Sequence, residues 1–275
     1  MAKKDLGPIG IFDSGFGGLS ILKAIFKELP NYDYIYLGDT ARTPYGNRSP
    51  EIIYEFTKQA VDFLFKNNCQ LVILACNTAS SDALRKIQQE YLPQYYPSKK
   101  VLGVLIPGAE AAVAITKNKK VGIMATEGTV TSGAFVREIK KIDPTIKIFQ
   151  QSCPLLVPLI EAGEQKNPAT KIILEQYIKP LKQKNIDAVV LGCTHYGLLE
   201  KQIKNLFGNK VKIISEGKEV AKKLKTYLIN HPEIETLIQK KSKLIFYSTD
   251  TTSKFQVLGG KFFGQKIEVE KVNLG

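Results

Sequence analysis

Two cysteines stand in matching surroundings. Residues 70–80 read Q-L-V-I-L-A-C-N-T-A-S, and residues 187–198 read D-A-V-V-L-G-C-T-H-Y-G-L. Each stretch is a short apolar run, a small residue, a cysteine (Cys76 or Cys193), two polar residues and then a helical pattern. A run of that kind fits a strand buried on both faces of a parallel sheet. Both thiols therefore fall at carboxyl ends of buried strands, where α/β proteins place their ligands. A free thiol has a pKa near ~8.5, so little thiolate exists at neutral pH unless a helix start and nearby donors lower it. Lowering it to ~7 takes about 2 kcal/mol of preferential thiolate stabilisation, which a helix start is expected to supply.

Three chemistries use such thiols. Zinc binding fits poorly, because the cysteines are spaced by 7, 77 and 40 residues (positions 69, 76, 153 and 193). No C-x-x-C pair exists and only His195 and His231 could complete a set, so no metal is expected. Acyl transfer would use Cys193 as nucleophile and His195 as base, and would leave Cys76 without a task. Inversion at a carbon bearing hydrogen needs two similar groups: a base on one face and an acid on the other, exchanging roles with direction.

The elements that would position these residues follow a repeating βα pattern. Residues 9–12 form a strand leading into a glycine-rich turn, Asp13-Ser14-Gly15-Phe16-Gly17-Gly18. There the glycines allow close ligand approach, and the following helix start offers free N–H groups. The turn lacks both the dinucleotide fingerprint and a P-loop lysine. Leu19, Leu22, Ile25, Phe26 and Leu29 then make one helical face, ended by Pro30. Residues 34–37 are a second strand, and Ser49-Pro50 starts a helix with a cap and a first-turn proline. A helix after Cys76 is expected to reach about residue 91, and the stretch 92–98 to cross between domains. Strands are expected at 101–105, 120–124, 146–149, 211–214, 244–248 and 266–269, with a helix capped at Asn167-Pro168.

A shift of 112 residues aligns Ile9-Gly10-Ile11-Phe12 with Val121-Gly122-Ile123-Met124 and carries Cys76 to position 188, five short of Cys193. That is a weak internal duplication, one cysteine per half. The expected fold is α/β: two similar doubly wound domains with mostly parallel sheets and the active site in the cleft between them. Residues 1–99 plus 211–275 are expected to form one, and 100–210 the other.

Global properties narrow the class. At 275 residues, 44% hydrophobic and 24% charged, the chain suits a globular enzyme of two modest domains. Residues 1–8 carry no apolar signal core and no run reaches the ~18 apolar residues of a membrane span. Reduced thiols in a cytoplasm, and no membrane, are therefore expected. The net charge of +13 is spread over lysine pairs such as Lys99-Lys100 and Lys222-Lys223, with no aromatic-interleaved stripe, so no nucleic-acid partner is expected.

Six motifs carry a family resemblance: Asp13-Ser14-Gly15-x-Gly17-Gly18, Gly38-Asp39-Thr40-Ala41-Arg42-x-Pro44-Tyr45-Gly46, Ala75-Cys76-Asn77-Thr78, Thr126-Glu127-x-Thr129-Val130-x-Ser132-Gly133, Pro158-Leu159-Ile160-Glu161 and Gly192-Cys193-Thr194-His195. Together, in order over about residues 7–215, they resemble the signatures of the glutamate racemases. The resemblance implies a racemase that uses no cofactor, interconverts L- and D-glutamate and supplies D-glutamate for peptidoglycan. It implies Cys76 as the base toward D-glutamate, assisted by Asp13, and Cys193 toward L-glutamate, assisted by Glu161 and His195. Asp13, Ser14, Tyr45, Gly46, Asn77, Thr78, Thr194 and His195 would hold the substrate, and a homodimer is expected. Phe16 stands where the family more often has a smaller apolar residue, and residues 248–252 match its usual turn only loosely.

Overall fold

In the computed structural model, which describes residues 6–250 and 253–274, ten strands form two wholly parallel sheets. Most of the N-terminal stretch 1–8, and Thr251 and Thr252 of the 248–252 turn, lie outside the described residues.

The first half runs β1 (Ile9–Asp13), α1 (Leu19–Glu28), β2 (Tyr34–Gly38), α2 (Pro50–Lys66) and β3 (Leu71–Leu74). Then come α3 (Asn77–Asp82), α4 (Leu84–Lys86), a π turn (Ile87–Tyr91), α5 (Leu92–Tyr95) and β4 (Lys100–Gly103). The second half runs α6 (Leu105–Ile115), β5 (Lys120–Ala125), α7 (Glu127–Ser132), α8 (Ala134–Ile142), β6 (Lys147–Ser152), α9 (Leu156–Glu161) and α10 (Pro168–Gln183). It continues with β7 (Ala188–Gly192), a 3-10 turn (Thr194–Leu199), α11 (Glu200–Phe207) and β8 (Lys212–Ser215). The chain returns through α12 (Glu216–Asn230) and α13 (Pro232–Glu235) to β9 (Leu244–Ser248), α14 (Ser253–Phe263) and β10 (Glu270–Lys271).

Local chemistry accounts for several boundaries. Ser49 accepts from the Ile52 N–H with Pro50 behind it, and Asn167 accepts from Ala169 N–H with Pro168 behind it. Strands β1, β2, β3 and β7 are buried at every residue, as their unbroken apolar runs require.

The first sheet has the order β10-β9-β2-β1-β3-β4 and the second β6-β5-β7-β8. Remove β9 and β10, and the two orders are the same: outer strand, first strand, third strand, fourth strand. The duplication is thus visible as topology, with β1 matching β5 and β3 matching β7. It also corrects the expected division at both ends. The strand near 101–105 opens no second series; as β4 it pairs with β3 and closes the first sheet. The strand near 211–214 does not return to the first half; as β8 it pairs with β7. Each half keeps its own fourth strand, so residues 92–98 lead to β4 rather than between the halves.

Two smaller expectations also shift. The helix after Cys76 is broken into short pieces rather than continuous. Pairing near the C-terminus involves Glu270 and Lys271 rather than 266–269, and Ile267 is buried against α14, its Cδ1 2.8 Å from where a Cβ on Gly259 would stand. One apolar core runs through both halves, joining Leu22 and Leu71 with Leu191, Tyr196, Leu224 and Phe262. Helix α12 approaches α1 closely because Gly217 has no side chain: a Cβ there would lie 3.2 Å from Ala24 Cβ. Among the described residues no helix is long and apolar enough to cross a membrane.

Candidate active site

In each sheet the chain moves one way from the first strand and returns to the other side, so crevices open at the carboxyl ends of β1/β3 and of β5/β7. Asp13 ends β1, and Cys76 follows β3 as the residue before α3. Cys193 follows β7 as the residue before the 3-10 turn, and Thr126 follows β5 as the cap of α7. The two crevices meet. The Cys76 thiol donates to Ser14 Oγ at 3.4 Å, and Cys193 Sγ lies 3.9 Å from His195 Nδ1. His195 Nε2 is 3.1 Å from Glu161 Oε1. Asp13 accepts from the Gly15 N–H at 3.0 Å and, from the other half, from Thr194 Oγ1 at 3.5 Å.

The glycine-rich turn makes this meeting possible. A Cβ on Gly17 would stand 2.3 Å from Thr194 Oγ1 and 2.6 Å from His195 Nδ1, so the turn of the first half lies directly on the Thr-His pair of the second. Phe16 and Phe262 flank the imidazole, each ring 5.6 Å from it. The large residue at position 16 therefore packs on His195.

Further contacts cross the cleft. Thr78 Oγ1 is 3.1 Å from Thr126 Oγ1, and Gly46 O accepts from the Gly128 N–H at 2.9 Å. Asn77 Nδ2 donates to Glu216 Oε2 at 2.6 Å. Tyr45 is fully buried between Phe12 and Phe56, and its hydroxyl donates to Asp39 Oδ2 at 2.5 Å, so its side chain is already engaged. Of the expected residues, all eleven lie at the two crevices or on the segments that bridge them. Thr126, Thr129, Phe262 and Glu216 join them without having been singled out as site residues. For Thr126 a signal existed, since the duplication sets it opposite Ser14; Glu216 had only its place after β8.

The electrostatics correct one expectation. Burial pushes the Cys76 thiol up to about 11, with the Asp13 charge adding, while the Ser14 hydroxyl and the N–H groups of Ala79 and Ser14 oppose. Burial likewise pushes Cys193 well above its usual range, aided by charge on Cys76, Asp13 and Glu216 and opposed by the His195 N–H. The helix starts do supply N–H donors to sulfur, as anticipated. They are short elements, however, and desolvation of a thiolate outweighs them. Asp13 is raised too, by burial first, with His195 pulling the other way.

The remaining cysteines are free and buried away from this cluster. Cys69 precedes β3 and packs against Gly10, and Cys153 donates to Gln151 O at 3.5 Å. No group of three or more His, Cys, Asp or Glu among the described residues has metal-holding geometry. A separate cavity of about 290 Å³, lined by Leu84, Leu102, Leu105, Pro107, Val220 and Leu224 among others, contains none of the expected residues. Both thiols are instead buried, 6% and 7% exposed.

Residues 9–224 match the model of the Asp/Glu/hydantoin racemase family. A glutamate racemase of Geobacter metallireducens is 38% identical over 267 residues, spanning 97% of this chain and 96% of that protein. The crystal structure of a glutamate racemase isoform from Bacillus anthracis superposes with a TM-score of 0.90 at 33% identity, covering 98% of each chain. The glutamate racemase of Francisella tularensis, crystallised with D-glutamate, gives a TM-score of 0.87 at 33% identity, also covering 98% of each chain.

Proposed function

The chain belongs to the Asp/Glu/hydantoin racemase family, as an amino-acid racemase of the glutamate kind, and from that premise we propose a two-thiol inversion at Cα of glutamate. The observation that carries the reading is the pair of buried thiols at equivalent crevices of two duplicated halves. From L-glutamate, the Cys193 thiolate removes the Cα proton and the Cys76 thiol delivers its own proton to the opposite face. One C–H bond breaks and one forms, leaving Cys193 protonated and Cys76 as thiolate. The reverse direction exchanges the roles.

Thiols raised by burial need help to ionise. His195 Nδ1, 3.9 Å from Cys193 Sγ, accepts that proton when its Nε2–H donates to Glu161, which fixes the required tautomer. Asp13, whose charge is felt at Cys76, serves the other thiol. The substrate's ammonium brings a positive charge into a cleft whose buried groups are neutral or anionic, and so favours thiolate and the developing carbanion together. Ser14, Asn77, Thr78 and Thr194, with the main chain of Tyr45 and Gly46, hold the carboxylates and ammonium; the hydroxyls and N–H groups at element starts suit carboxylates. The D-glutamate so formed would enter peptidoglycan synthesis in the cytoplasm, the protein acting as a homodimer.

The purified protein, with no cofactor added, should racemise L-glutamate, measured by the decay of optical rotation. Aspartate should turn over about ten- to 200-fold less efficiently, the worth of one methylene in a fitted site. Equal turnover of aspartate would overturn the substrate assignment, and absence of any racemisation the reaction itself.

A further inference from the structure

We propose that Glu216 is a positioning residue for this reaction, acting from the second half of the molecule through the side-chain amide of Asn77. The inference rests on the proposed racemisation and adds a residue to it. Glu216 opens α12 directly after β8, and Asn77 opens α3 directly after Cys76. Their hydrogen bond, at 2.6 Å, therefore ties the element behind one thiol to the far side of the cleft. Both side chains are only 3% exposed. Asn77 Oδ1 and Glu216 Oε1 have no hydrogen-bond partner among the described residues.

The surroundings of the carboxyl group are apolar. Glu216 Oε1 lies over Gly108 of α6, 3.3 Å from where a Cβ would stand, and Phe135 of α8 and Val190 of β7 border the same space. A side chain needed there for packing alone would be apolar, since a buried carboxyl group with one hydrogen bond is costly. Its chemistry suggests another task. A carboxylate only accepts, so it fixes the amide with NH2 toward Glu216 and leaves Oδ1 as the free atom. Oδ1 is an acceptor, suited to the substrate's ammonium rather than to a carboxylate.

The control depends on charge. Burial raises Glu216 to about 8, the hydrogen bond from Asn77 opposing. A protonated carboxyl can both donate and accept, and then no longer dictates which way the amide faces. Cys193 senses the charge on Glu216. Gly108, Phe135 and Val190 on the packed elements, and Ala24 of α1 against the adjacent Gly217, carry no charge.

The test is Glu216→Gln, which keeps the volume and removes the charge, assayed in both directions between pH 6.5 and 9. The ratio of variant to unsubstituted KM should rise from near one at the acid end to about five- to tenfold at the alkaline end, with kcat falling less than KM rises. In an Asn77→Ala background the same substitution should add no further change, because the two act as one unit. Thermal melts establish that each variant is folded. A KM ratio that is flat across pH, or additive effects in the double variant, would overturn the proposal. Failure of the unsubstituted protein to racemise glutamate would instead remove the underlying reading.

Discussion

Cys76 and Cys193 follow the carboxyl ends of β3 and β7, whereas Cys69 stands at the opposite end of β3 and Cys153 at the end of an outer strand. Replacing either cleft cysteine with alanine should lower racemisation in both directions by at least about a hundredfold, since inversion needs an acid opposite each base. Cys69→Ala should instead cost about 1–2 kcal/mol of stability with turnover near normal, as a chemical-denaturation curve beside a racemase assay would report. Glu216 carries a pH prediction. Its folded pKa, about 8, lies above the ordinary 4.5, so between those values the folded state holds a proton that the unfolded chain has released. Stability is then lost as pH rises through that window, by an amount on the order of a few kcal/mol. The Glu216→Gln variant lacks that term, so its melting temperature should gain on the unsubstituted protein from pH 5 to 8; parallel melting curves would contradict the assignment. The cysteines were legible in the sequence because each ended an apolar run. Glu216 was not, because a buried acid at a helix start reads the same as an exposed capping acid until its partner across the fold is known.

At the scale of elements, the glycine-rich turn after β1 is the piece on which both halves depend. A methyl group at Gly17 would collide with Thr194 and His195, and neither is the end of a long flexible side chain. Gly17→Ala should therefore reduce kcat/KM by about a hundredfold, the cost of displacing groups by an ångström or so, while leaving the rest of the fold intact. Retained activity together with an unchanged His195 environment by NMR would contradict this account. Strand starts and helix caps were readable from apolar runs and from Ser49-Pro50 and Asn167-Pro168. Sheet membership was less so. β4 and β8 each read simply as a short apolar run, and which sheet receives a strand is settled by pairing rather than by its own residues. The duplication held the missing information, since a repeat unit of four strands assigns both without further evidence.

At the scale of the molecule, one apolar core spans both halves and both thiols are buried within it or beside it. For glutamate to reach these thiols by the proposed route, the halves would part on binding and close to exclude water. Glutamate at saturating concentration should slow amide hydrogen exchange in residues 14–18, 45–48 and 126–129, and unchanged exchange there would contradict a moving cleft. The two-half architecture was legible from one weak repeat, whereas the closeness of the halves was not, because it depends on contacts between residues far apart in sequence. Whether one thiol serves each face of Cα is tested most directly by racemising L-glutamate in heavy water and sampling both enantiomers early. Deuterium should be present in the D-glutamate formed and nearly absent from the L-glutamate that remains, because the thiol that removes its proton does not return one from solvent. Early label in the recovered L-glutamate would contradict the account and point to a single base working on one face.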